Sequence, residues 1–185
     1  MIYITCALLA EASFLIEHYA LKKTDDNYFS IYQNKTIKLI VSGIGKIQTA
    51  SATTYLLQKY QADKEDKLFN IGTCTTTKES IRVGELFTIK KVIDLATSNV
   101  YHLKAQGEAL TCADKAIDSK QGIKTALADM ESVGVYLSAK KFIKNEHIMI
   151  LKVVSDKTDT SIPDTKDIQV LFQAHIHTIG ALLDV

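Results

Sequence analysis

Residues 36–60 read TIKLIVSGIGKIQTASATTYLLQKY, and the fold follows from how this stretch changes character along its length. Thr36 to Ser42 is nearly continuous in apolar residues (Ile37, Leu39, Ile40, Val41), which suits a strand covered on both faces. Ser42-Gly43-Ile44-Gly45-Lys46 interrupts that pattern. From Lys46 to Tyr60 the spacing becomes helical, with Ile47, Ala50, Thr54 and Leu57 expected on one face. Strand, glycine turn and helix make the repeating unit of an α/β fold. The turn also exposes backbone N–H groups at a helix start, where a negative group is favoured. It has neither the G-x-G-x-x-G nor the P-loop pattern, so its chemistry is not fixed by motif.

The same alternation extends in both directions. Ile2 to Ala7 predicts a strand, followed by a helix carrying Phe14, Leu15 and His18. Tyr28 to Gln33 and Thr36 to Ser42 flank Asn34-Lys35 as a hairpin. Leu68 to Ile71 predicts a strand that stops at Gly72, before a threonine-rich loop from Thr73 to Ser80. Leu86 to Leu95, mostly β-branched, gives a longer strand. From Thr97 to Gly122 the pattern supports a short strand at Ala109 to Ala113 and one helical turn. A strand at Thr125 to Ala128, a helix at Ser132 to Phe142, a strand at Ile148 to Ser155 and a final helix at Thr165 to Leu183 complete the order, with Pro163 closing the loop before that helix. The final helix aligns Ile168, Leu171, Phe172, His175, Ile179 and Leu182, and His175 is read as a buried histidine with a satisfied ring. The expected architecture is a three-layer α/β/α unit around a central mixed, largely parallel sheet. At 185 residues, one domain over 1–185 accounts for the chain.

Composition narrows the function classes. With 22 basic and 21 acidic residues the formal charge is +1, so no global field attracts polyanions and nucleic acid is disfavoured as a partner. Cys6, Cys74 and Cys112 are odd in number, far apart and set in apolar stretches, which reads as small core residues in a reducing compartment. Met1 to Ala10 lacks a basic n-region and is followed by Glu11, unlike a signal peptide. No run approaches the ~18 apolar residues of a membrane span. The cytoplasm is the expected location, with no membrane partner.

In an open α/β sheet, ligands gather beyond the carboxyl ends of the strands. Glu11, Glu131 and Asp156 each stand just past an expected strand, so parallel neighbours would bring all three to one edge. Singly, each has a structural explanation: an acid in a first helical turn is favoured by the helix dipole, and Asp156 opens a turn-like segment. Thr73 adds a hydroxyl after Gly72. Metal binding finds no support, because the five histidines form no H-E-x-x-H pair and His175 and His177 would face different sides of a helix. No G-x-S-x-G elbow is present, and no cofactor is expected.

Five segments, in order, resemble the 5′-methylthioadenosine/S-adenosylhomocysteine nucleosidases within the nucleoside phosphorylase superfamily. They are Ala7-Leu8-Leu9-Ala10-Glu11-Ala12, Ser42-Gly43-Ile44-Gly45-Lys46, Asn70-Ile71-Gly72-Thr73 with Val83-Gly84-Glu85, Asp129-Met130-Glu131-Ser132, and Val154-Ser155-Asp156. The resemblance implies a purine nucleoside substrate and hydrolysis of its N-glycosidic bond. It implies that Asp156 protonates the departing base, Glu11 activates the attacking water, and Glu131 holds the ribose hydroxyls with Met130 against the sugar. It likewise implies that Thr73 stands near the water, that the backbone of Ile117 meets the base, and that Gly43 and Ser155 belong to the binding segments. A homodimer is a further implication.

The chain departs from the family pattern in three places. Cys74-Thr75-Thr76-Thr77 replaces small residues, Ala116 stands where a base-stacking aromatic is expected, and the region between Leu86 and Ala126 is short. Two alternatives follow. A phosphate-dependent phosphorylase is disfavoured by the missing glycine and arginine cluster near the N-terminus, Arg82 being the single arginine. A non-catalytic nucleoside-binding protein is motivated by the threonine-rich loop and the shortened cover.

Overall fold

The computed structural model describes residues 1–116, 122–158 and 164–183, so Ile117 and Pro163 lie outside the described residues. At its centre is β1 (Ile2–Cys6), buried at every position. It pairs in parallel with β4 (Ile37–Val41) on one side and β5 (Lys67–Thr76) on the other. Beyond β5 lies β10 (Ile148–Lys157), also parallel. These are the near-continuous apolar runs, and two-sided burial is what such runs require. β3 (Ser30–Gln33) folds back antiparallel on β4, the turn being closed by Asn34, whose side-chain oxygen accepts from the Thr36 and Ile37 N–H groups. β2 (Lys22–Lys23) forms a two-residue edge.

On the far side the sheet turns back on itself. β6 (Leu86–Asp94) runs antiparallel to β10, β8 (Glu108–Cys112) parallel to β6, and β9 (Leu127–Asp129) parallel to β8. β9 is antiparallel to the end of β5, so β5, β10, β6, β8 and β9 close a ring. β7 (Val100–His102) lies on the outer edge of β6. Helices cover both faces. α1 (Leu9–His18), α4 (Thr165–Gln173) and α5 (Ile176–Leu183) pack through Phe14, Leu15, Phe172 and Ile179 on one side. α2 (Lys46–Lys59) and α3 (Ser132–Ala139) pack through Leu56, Leu57, Val133 and Val135 on the other. The three-layer α/β/α architecture is therefore observed, with a parallel core and antiparallel flanks.

Several elements differ from the sequence expectation. β5 does not stop at Gly72; it continues through Thr76, and its threonines are strand residues paired with β9 and β10. β-branched threonine suits that role. α2 buries Thr49, Ala52, Thr53, Leu56 and Leu57, while Ile47 is 84% exposed and Thr54 points outward. The adjacent leucines set the packed face, and the isolated apolar Ile47 does not. The final helix is two helices broken at Ala174 and His175, where the His175 Nε2 lies 2.6 Å from the Gly84 carbonyl oxygen. His175 is half-buried there, with its ring partnered. α3 ends three residues early, and Glu131 follows a strand antiparallel to β5 instead of a parallel neighbour.

That last difference creates the cleft. β1 accompanies β5 only as far as Thr5 opposite Asn70, and β9 joins β5 only at Thr75. Between these points, along Ile71 to Cys74, no strand among the described residues pairs with that edge of β5.

Candidate active site

Thr73 lies in this gap, so its N–H has no strand to donate to on that side, and a buried N–H must find a partner. It donates to Glu11 Oε1 at 2.7 Å, and the Thr73 hydroxyl donates to the same oxygen at 2.8 Å. Glu11 Oε2 accepts from the N–H groups of Ala7 and Leu8, both at 2.9 Å. Four donors thus fix a carboxylate only 2% exposed at the first turn of α1.

Directly across from Gly72 in the β5–β10 register is Lys152, 1% exposed. Its Nζ is 2.8 Å from Asp129 Oδ2. A Cβ at Gly72 would stand 3.2 Å from that Nζ and 3.3 Å from Glu11 Oε1, so the absence of a side chain there lets cation and carboxylate approach. Burial opposes the charge on Lys152, but Asp129, Glu131 and Glu11 outweigh it and raise its pKa. Asp129 is also held by Ser132, through both the backbone N–H and the hydroxyl.

Glu131 immediately precedes α3 and is 7% exposed. Its Oε1 accepts from the Gly45 N–H at 2.9 Å, and its Oε2 from the Met130 N–H at 3.3 Å. The contact depends on the β4–α2 turn, where Gly45 has φ +100°, a conformation that L side chains resist. Burial pushes the Glu131 carboxyl up to about 7; Asp129 and Glu11 add to this, and Lys152 and the Gly45 N–H oppose it.

Asp156 is positioned by a bulge. Along β10 the pairing passes from Val154 opposite Cys74 to Asp156 opposite Thr75, leaving Ser155 as the extra residue. The Ser155 hydroxyl donates to Asp156 Oδ1 at 2.5 Å, and the Thr75 hydroxyl donates to the Asp156 carbonyl at 3.3 Å.

Glu11, Thr73, Met130, Glu131, Ser155 and Asp156 all line a single cleft of about 830 Å³ of non-protein space, solvent at its mouth included. Gly43 is not in its lining; its N–H donates to the Ala7 carbonyl, and Ile44 faces the cleft. Ile117 lies outside the described residues. Sequence patterns alone assign no role to Lys152 or Asp129. A lone charge inside the apolar run Ile148 to Val154 was the available signal for Lys152, because a buried strand tolerates a lysine only when it is paired. Asp129 had no comparable signal, since its part depends on where Lys152 ends.

Comparison with known proteins gives a consistent picture. Residues 2–143 match the family model described as the phosphorylase superfamily. The 5′-methylthioadenosine/S-adenosylhomocysteine nucleosidase of Buchnera aphidicola subsp. Acyrthosiphon pisum is 28% identical over 149 residues, covering 75% of this chain and 62% of that protein. The chain therefore spans less than two thirds of the length of that relative. Among solved structures, the Helicobacter pylori enzyme of the same name, complexed with a pyrrolidine-containing ligand, superposes with a TM-score of 0.82 at 14% identity, covering 99% of this chain and 97% of that one. The 5′-methylthioadenosine nucleosidase of Arabidopsis thaliana superposes with a TM-score of 0.82 at 19% identity, covering 99% and 94%. Futalosine hydrolase of Helicobacter pylori gives 0.81 at 14% identity, covering 99% and 97%. With the family model matching most of its length, this chain belongs to the phosphorylase superfamily.

Proposed function

We propose that this protein hydrolyses the N-glycosidic bond of a purine nucleoside, such as methylthioadenosine or adenosylhomocysteine, releasing the free base. The observation that carries the reading is the convergence of Glu11, Glu131 and Asp156 on one cleft. Cleavage breaks the bond between the sugar C1′ and the base N9, and the electron pair leaves with the base. Asp156 gives a proton to the base N7, which neutralises that charge. Positive charge builds on the sugar, where carboxylates favour it. Water attacks C1′ and passes its proton to Glu11, and solvent exchange then restores both carboxyl groups. Thr73 orients Glu11, Glu131 accepts hydrogen bonds from the ribose hydroxyls, and Met130 packs beside the sugar.

Hydrolysis is favoured over phosphorolysis by the charge of the cleft. Its described lining contains Glu11, Asp129, Glu131 and Asp156 and no lysine or arginine. Lys152 stands behind them, engaged by Asp129. An electronegative lining repels phosphate and admits water. The discriminating assay is base release from methylthioadenosine, adenosylhomocysteine, adenosine and inosine with and without phosphate. Release in phosphate-free buffer is expected, and a strict phosphate requirement would transfer the assignment to a phosphorylase. Tight binding without release would make it a nucleoside-binding protein.

The same reading predicts a pH dependence of substrate binding. Glu131, with its carboxyl at about 7, is ionised above that pH and protonated below it. An ionised carboxylate is the stronger acceptor for ribose hydroxyls. KM should therefore be flat above about pH 8 and rise as pH falls, approaching tenfold per unit. Glu131→Gln should keep KM high and remove that slope. A flat KM in wild-type protein from about pH 5.5 to about pH 8.5 would show that Glu131 does not hold the sugar.

A cytoplasmic location and a homodimeric assembly belong to the same proposal. The first is supported by three buried, unpaired cysteines, Cys6, Cys74 and Cys112. The second is supported by the exposed apolar side chains of Leu9, Ile44 and Ile47, of which Ile44 lines the cleft.

A further inference from the structure

Lys46 follows directly after Gly45, whose N–H holds Glu131, and its side chain reaches to a different part of the fold. Its Nζ lies 2.5 Å from Asp94 Oδ1 at the end of β6 and 2.9 Å from Asp114 Oδ1 just past β8. The two contacts differ in kind. The side chains of Lys46 and Asp94 are 14% and 9% exposed, and Asp94 also accepts from the Thr97 hydroxyl and the Ala96 N–H, so this pair builds the turn after β6. Asp114 is 58% exposed, and an ion pair so exposed contributes little to stability. What it does is hold a position. One residue earlier, the Ala113 N–H donates to the Asp129 carbonyl at 2.8 Å. Two residues later, Ala116 lines the cleft.

We infer that Lys46 is a positioning residue: through Asp114 it holds segment 113–116 as a wall of the nucleoside cleft, in register with the Glu131 carboxylate fixed by the neighbouring Gly45. Consecutive residues at the start of α2 therefore align two sides of the site. A misplaced wall weakens ligand binding without removing any group that takes part in bond cleavage. The inference rests on the proposed nucleosidase activity, and its test separates the two.

Lys46→Met strands the buried Asp94 and risks the fold, so the informative change is Asp114→Ala, which leaves the Lys46–Asp94 pair intact. Expected is a KM for methylthioadenosine raised about threefold to tenfold with kcat and thermal midpoint unchanged. Product inhibition by adenine should weaken by the same factor, and Asp114→Glu should recover most of the loss. A purely structural contact would move the midpoint and leave the KM to kcat balance alone. Wild-type activity combined with an unaltered KM in Asp114→Ala overturns the positioning role by itself. Wild-type protein that neither cleaves nor binds any purine nucleoside overturns the nucleosidase reading, and this role with it.

Discussion

Asp156→Asn is expected to lower base release by about a hundredfold to ten-thousandfold while leaving the protein folded, the range over which a general acid contributes. Asparagine keeps the shape of the side chain, and its amide oxygen can still accept from the Ser155 hydroxyl that orients Asp156. The β-bulge that turns this residue into the cleft is a backbone feature, so it survives the substitution. Only the proton is lost. Stability in urea should change by less than about 0.5 kcal/mol, as for substitutions that create no cavity and strand no buried charge. The defect should also depend on the leaving group: a nucleoside whose base departs readily without protonation should lose much less rate than methylthioadenosine. Undiminished turnover, or equal losses for good and poor leaving groups, would move the acid to another residue.

The parts of this site that the sequence revealed are those that local patterns encode. Glu11 and Asp156 follow runs whose apolar character identifies them as core strands, and β1 and β10 do lie in the parallel core. The β4–α2 unit was legible because its glycines sit between two periodicities, and Gly43 and Gly45 both adopt positive φ. Other features were hidden because they arise from pairing between distant segments. Nothing between Leu127 and Asp129 indicates that three residues will run antiparallel to β5, yet this reversal carries Glu131 to the gap beside Thr73. A threonine tract reads locally as a loop, and it becomes a strand only because β9 and β10 supply partners along its length. The buried face of α2 excludes Ile47 for a related reason. A helix buries whichever side meets its sheet, and the adjacent Leu56 and Leu57 outweigh one isoleucine at the first turn.

Lys152→Met is expected to cost about 3–5 kcal/mol of stability near neutral pH, the usual penalty for removing one partner from a buried ion pair. Methionine nearly fills the volume, so the loss is electrostatic and not a cavity effect. Without the cation, Asp129, Glu131 and Glu11 stand close together, all buried, with no opposing charge among them. Protonation of Glu131 is the relief open to them. In the wild-type protein Lys152 lowers the Glu131 pKa, so the variant should raise it further above its unfolded value. A carboxyl whose folded pKa lies above its unfolded pKa costs stability as pH rises through that interval. The variant's deficit should therefore be smallest near about pH 5 and largest near about pH 8, as read from urea midpoints at both values. Folded variant at low pH should still bind substrate poorly, since a protonated Glu131 is the weaker acceptor for the ribose hydroxyls. A deficit below about 1 kcal/mol at the higher pH, or one independent of pH, would show that Lys152 does not hold these carboxylates together.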